Sequence, residues 1–173
     1  MQLPILQNLP NPGPVVEKIA EAITKARNNN IPVLYVTLAF RTGFPEVNSN
    51  NKGFVAFKQR MAQVPMDTFT EIHPALTPKE NELVIHKKRV SAFTGSELEV
   101  VLRALGINHL VLTGVATSGV VLSTLREAAD KDYVVTVLTD GCADGDEEVH
   151  RVLTTKVFLR QATVCSVGEW NIV

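Results

Sequence analysis

At 173 residues, 45% of them hydrophobic, the chain is long enough to bury a core of its own, and its length favours one domain, residues 1–173, over two. Seventeen basic side chains against eighteen acidic ones leave a formal net charge of -1, which argues against recruitment of nucleic acid or of an anionic membrane. Two cysteines exclude a disulfide framework, and no stretch reaches the roughly 18 apolar residues of a membrane span. The first residues, Met1-Gln2-Leu3-Pro4-Ile5, lack the basic start and apolar run of a signal peptide, so the expected compartment is the cytosol.

In chain order, a Pro-rich opening gives way to Val15, Val16, Ile19, Ala20, Ile23 and Ala26 at helical spacing, with Pro14 suited to the first turn and Asn28-Asn29-Asn30 as the stop. Val33 to Leu38 is a continuous β-branched run that reads as a strand buried on both faces. The polar stretch Arg41 to Gly53 predicts a lid or binding loop. Leu83 to His86 is a second strand. Thr94 with Glu97 reads as a capping box before the apolar stripe Leu98, Val101, Leu102, Leu105, which ends at Gly106. His109 to Thr113 is a third strand, followed by a helix with Val121, Leu122, Leu125, Ala128 and Ala129 inward. Tyr133 to Leu138 is a fourth. Asp144 and Glu147 read as caps of a last helix, before a short strand near Thr163 to Ser166.

Strands alternating with helices, without hairpin signals, predict an α/β chain with a mainly parallel sheet and helices on both faces. In such sheets a ligand sits where strands end and helices begin, which points to Phe40 to Phe44, Lys87 to Phe93, Gly114 to Val120 and Asp140 to Asp144. No Gly-x-Gly-x-x-Gly follows a strand and no Walker-type Gly-Lys-Ser/Thr occurs, so the usual phosphate cradle of a nucleotide is missing and no cofactor is expected. His73, His86, His109 and His150 lie far apart without metal-ligand spacing, and no metal is expected either.

The informative segments are Thr113-Gly114-Val115-Ala116-Thr117-Ser118-Gly119-Val120-Val121, where a buried strand turns abruptly into a helix with backbone N–H groups outward, and Lys87-Lys88-Arg89-Val90-Ser91-Ala92-Phe93-Thr94-Gly95. With Asp140-Gly-Cys-Ala-Asp144 they resemble the isochorismatase-like family of cysteine-dependent amide and ether hydrolases, over about Ile31 to Trp170. The resemblance implies a three-layer α/β/α fold on a six-stranded parallel sheet, of which five to six strands are expected here, and a site built from a Cys, a Lys and an Asp. It places the lysine at Lys87 and an oxyanion-binding turn at Val115, Ala116 and Thr117, beside a cis peptide between Val115 and Ala116. The nucleophile position falls on Val120, whose isopropyl group cannot attack a carbonyl.

The resemblance also implies an apolar first strand ending in Asp, lying between the strands at 33 to 38 and 109 to 113, and Met1-Gln2 starts downstream of it. A start at an internal Met of a longer frame is the favoured explanation over a truly shortened protein. Loss of a central strand leaves two rows of unpaired backbone groups, so this chain is expected to be poorly soluble or to close its sheet differently.

From spacing alone Lys87 reads as a solvated strand-end lysine. Thr117 and Ser118 are substitute nucleophiles or caps, with no histidine base in sequence context. Cys142 and Cys165 read as core, while Phe40, Phe44 and Phe54 either line an apolar pocket or anchor the loop. Two functions stand side by side: a hydrolase acting on a small amide or enol ether through another nucleophile or an activated water, and a non-catalytic relative that binds a metabolite or partner. A small-molecule ligand and homo-oligomerisation are the expected partnerships.

Overall fold

The computed structural model describes residues 1–172. Helices α1 (Leu3–Leu6) and α2 (Gly13–Asn28) lead into strand β1 (Tyr35–Leu38). Val15, Val16, Ile19, Ala22 and Ala26 form the buried stripe of α2, and Asn30, at φ 56°, turns the chain away after it. Two helices that carry no strong signal in the sequence follow the long loop: α3 (Lys52–Met61), capped by the Asn51 side chain, and α4 (Met66–Thr70). Then come β2 (Val84–Lys87), α5 (Leu98–Ala104), β3 (His109–Val115), α6 (Leu122–Asp130), β4 (Val134–Ala143), α7 (Glu147–Val152) and β5 (Thr163–Cys165). No helix among the described residues is long and apolar enough to cross a membrane.

Every ladder is parallel, as the alternation of elements requires. The strands form two groups, β1 with β2 and β3 with β4 and β5, and the two groups do not close on each other. Helix α2 covers one face through Ile19, while α5 and α6 cover the other through Leu98, Leu102 and Leu125. Between Leu112 and Gly114 the β3–β4 register shifts: β3 advances from Leu112 to Gly114 while β4 advances from Val137 to Cys142. Glycines make this possible, because Gly114 sits at φ 148° and a Cβ on Gly141 would stand 2.9 Å from Thr113 Cγ2.

Two capping expectations need correction. The Thr94 hydroxyl donates to Glu127 Oε2, across to α6, and Ser96 Oγ instead accepts from the Leu98 N–H at the start of α5. Asp146, not Asp144, caps α7 by accepting from the Glu148 and Val149 N–H groups. Asp144 is drawn elsewhere, as the site shows.

Candidate active site

Lys87 ends β2, in register with Leu38 of β1. It is not the solvated lysine that spacing suggests: the residue is 7% exposed. Its ammonium donates to the carbonyls of Arg89 and Val90, both at 2.7 Å, which fold back over it. The turn that brings them there relies on Gly95 at φ 74°, where a Cβ would meet Lys88 Cβ at 2.9 Å. The Ala92 N–H donates to Thr124 Oγ1 and so ties the same turn to α6. Burial without a carboxylate partner lowers the Lys87 pKa to about 8.

After β3 the peptide between Val115 and Ala116 is cis, where the family resemblance implies it. Thr117 to Val121 then form one wide turn, in which the Val121 N–H donates to the Ala116 carbonyl, before α6 begins. The outward N–H groups of this turn are partly spoken for. The Ser118 N–H donates to Asp144 Oδ2 at 2.7 Å and the Gly119 N–H to the Ala116 carbonyl. Burial alone would raise the Asp144 pKa, but the bonds from Ser118, Asp146 and Gly145 prevail and hold it below the ordinary carboxylate value.

These two segments meet at one cavity of about 690 Å³. Lys87, Ser91, Val115, Ala116, Gly119 and Val120 line one side, and Asn51, Phe54 and Phe57 of the long loop and α3 line the other. Its charged lining is wholly basic: Lys87, Arg89 and Arg60. Arg89 is partly committed, donating to the Glu46 carbonyl and lying over the Phe54 ring. Among the described residues no three His, Cys, Asp or Glu side chains gather to hold a metal ion.

Two expectations about side chains change here. Phe40 and Phe44 do not line the cavity; they lie behind it, stacked on Phe54 and Phe57 with ring centroids 5.6 to 6.4 Å apart, and so anchor the loop. Thr117 does have a histidine beside it, because α7 brings His150 Nδ1 to 2.8 Å from Thr117 Oγ1. Yet Thr117 is fully buried and its side chain is absent from the cavity wall, so this hydroxyl is enclosed rather than presented. Cys142 is buried beneath the turn, with its thiol pushed up to about 12 by burial, and Cys165 is half-buried at the end of β5. Gln2, which drew no notice in the sequence, is buried and bonds three main-chain groups: the Leu38 N–H, the Leu38 carbonyl and the Phe69 carbonyl.

A parallel α/β chain with helices on both faces, a cavity at the carboxyl ends of its strands and a lysine facing a cis-peptide turn belongs to the isochorismatase family, whose isochorismatase-domain model matches residues 3–169. Among curated proteins, the chain is 30% identical over 158 residues to the ureidoacrylate amidohydrolase of Methylobacterium radiotolerans, covering 84% of this chain and 61% of that one. It is 33% identical over 121 residues to the N-carbamoylsarcosine amidase of an Arthrobacter, covering 69% and 45%. The chain thus spans less than two thirds of the first relative's length and less than half of the second's. An isochorismatase family protein from Burkholderia thailandensis superposes with a TM-score of 0.79 at 28% identity, over 91% of this chain and 81% of that one. The cysteine hydrolase of Pseudomonas syringae shares the fold with a TM-score of 0.82 at 22% identity, over 90% and 78%.

Proposed function

We propose that this chain binds a small, negatively charged amide or enol-ether metabolite in the Lys87 cavity and does not cleave it by a covalent thiol route. The observation that carries this is Val120: it lines the cavity beside Ala116, at the position the family resemblance gives to the nucleophile, and it carries hydrocarbon. The wholly basic charged lining favours an anionic ligand, and the Phe54 and Phe57 rings favour a flat or apolar body. Val115 and Ala116, which line the cavity, take the oxyanion-binding role in this reading, and the enclosed Thr117 does not share it. The names of the relatives, ureidoacrylate amidohydrolase and N-carbamoylsarcosine amidase, supply the compounds to try first.

One observation favours a second reading, hydrolysis by activated water. With its pKa lowered to about 8, Lys87 holds a sizeable neutral fraction at mildly alkaline pH and could take a proton from a bound water. The readings separate in one experiment: calorimetric titration with ureidoacrylate and N-carbamoylsarcosine, together with ammonia release, on the wild-type chain and on Val120→Cys. Binding without turnover by the wild type is the expected result; turnover by Val120→Cys would show that thiol and Lys87 suffice in this cavity without the family's Asp. Turnover by the wild type that disappears in Lys87→Met would instead establish the water route. Two unpaired cysteines suit a reducing cytosolic setting, and homo-oligomerisation is the assembly that the family relationship suggests.

A further inference from the structure

Three cations line the Lys87 cavity, and they differ in how far the chain itself has already engaged them. The Lys87 ammonium gives two of its three N–H groups to the Arg89 and Val90 carbonyls, which leaves one for a ligand. Arg89 donates from Nη1 to the Lys88 carbonyl at 2.7 Å and from Nη2 to the Glu46 carbonyl at 2.9 Å, with its guanidinium 5.6 Å from the centre of the Phe54 ring. Both arms of that fork hold the wall, one on the turn over Lys87 and the other on the long loop. An anion that took Arg89 would have to release the loop.

Arg60 is in a different state. Phe54, Phe57 and Arg60 recur every three residues along α3, so one face of the helix supplies all three to the cavity. The two rings are buried in the wall, and Arg60 continues their face to the exposed rim. Other cations of this region find partners within the chain: Arg41 pairs with Glu46 at 3.0 Å, and Lys58, two residues before Arg60, donates to the Gly43 carbonyl at 3.0 Å. Among the described residues Arg60 makes neither a hydrogen bond nor an ion pair, so its whole fork is open. No carboxylate lines the cavity to compete for it.

The open fork stands on α3, across the cavity from Lys87 and the cis-peptide turn. A ligand whose amide carbonyl sits at Lys87 and Ala116 therefore meets its second anchor at Arg60, past an apolar interval made by the two rings. Planar donation from two N–H groups is the geometry that a carboxylate accepts best.

We infer that Arg60 is the specificity-determining residue of the cavity: it selects a ligand with a free carboxylate over the same molecule with that group made neutral. Arg89, of equal charge, holds the wall and does not read the carboxylate. Charge alone gives no such assignment, since three cations share the lining; the hydrogen bonds give it. The inference rests on the reading of the Lys87 cavity as a ligand site and adds which side chain recognises which end of the ligand.

Calorimetric titration of the full chain with N-carbamoylsarcosine and with its neutral primary amide tests it, on wild type, Arg60→Gln, Arg60→Lys and Arg89→Gln. The wild type should prefer the acid by roughly tenfold or more. Arg60→Gln should erase that preference while leaving the affinity for the neutral amide and the urea midpoint unchanged, because the side chain it removes is exposed and unbonded. Arg60→Lys, which keeps the charge and loses the fork, should retain only part of the preference. Arg89→Gln should weaken acid and amide by similar factors and lower the urea midpoint, with the preference still standing. A preference that survives Arg60→Gln, or that vanishes in Arg89→Gln, would overturn the assignment. So would a lower urea midpoint in Arg60→Gln with the preference intact, the mark of a cation that only offsets the dipole at the end of α3. Binding of both compounds by the wild type without preference would overturn this inference alone. Binding of neither would overturn the reading of the cavity, and the inference with it.

Discussion

Thr117 Oγ1 and His150 Nδ1 stand 2.8 Å apart, with the threonine fully enclosed and the histidine half-buried. Thirty-three residues separate them, and the contact joins the turn after β3 to α7. Burial lowers the His150 pKa, against an opposing effect of the nearby Asp144 carboxylate. The folded chain then holds fewer protons than the unfolded chain just below pH 6.5, so stability falls as the pH drops through that region. Thr117→Val should cost about 1 to 2 kcal/mol in urea denaturation while leaving ligand binding in the Lys87 cavity unchanged. A loss of binding with unchanged stability would place the hydroxyl at the ligand instead.

Lys87 gives a second titration window. Its pKa is about 8 in the folded chain and 10.5 as an ordinary lysine, so between those values the unfolded chain binds more protons and stability rises with pH. The raised thiol pKa of Cys142 acts in the opposite sense above about pH 9, which is why the comparison must be made by difference. The stability of wild type minus that of Lys87→Met should climb between pH 8 and 10.5 and be flat below pH 8. A flat difference throughout would mean that the ammonium is hydrated.

Val120→Cys should create one reactive thiol. The new sulfur would share a cavity with the Lys87 ammonium, which favours a thiolate, whereas Cys142 is held as a neutral thiol. Mass spectrometry after brief iodoacetamide treatment at pH 7 should find the label at position 120 and not at Cys142. Label at Cys142 in the folded wild type would contradict its burial.

Gln2→Ala removes three bonds to main-chain groups and leaves the Leu38 N–H and C=O without a partner. A loss of about 2 to 3 kcal/mol is expected from thermal or urea melts. Gln2→Glu should fare no better, since a carboxylate cannot donate to the Leu38 and Phe69 carbonyls.

Gly95→Ala should destabilise by about 1 to 3 kcal/mol, because φ 74° disfavours a Cβ and Lys88 Cβ leaves no room for one. Since the same turn delivers the Arg89 and Val90 carbonyls to Lys87, ligand affinity should fall with it, whereas Gly106→Ala, at φ 65° in open space, should lower stability alone.

The five strands were legible from β-branched runs, and the family from the segments around Lys87 and Gly114; both rest on local pattern. Helices α3 and α4 were not, because Lys52 to Met61 is short and its buried side is two phenylalanines, Phe54 and Phe57, in a polar context. Those rings, rather than Phe40 and Phe44, reach the cavity, a distinction of depth that sequence spacing does not encode. The Thr117–His150 contact depends on how α7 packs, and a capping pattern such as Thr94 with Glu97 lost to a tertiary partner, Glu127, that local reading cannot weigh. Gln2 carried no signal at all, since its role exists only because a strand edge ends beside it.

The phenylalanine cluster in and behind the cavity wall fixes how recognition there would be felt calorimetrically. Five rings, Phe40, Phe44, Phe54, Phe57 and Phe69, have already left water before any metabolite arrives. Association would then dehydrate little further surface from the protein, so its heat-capacity change should be small and dominated by the incoming molecule.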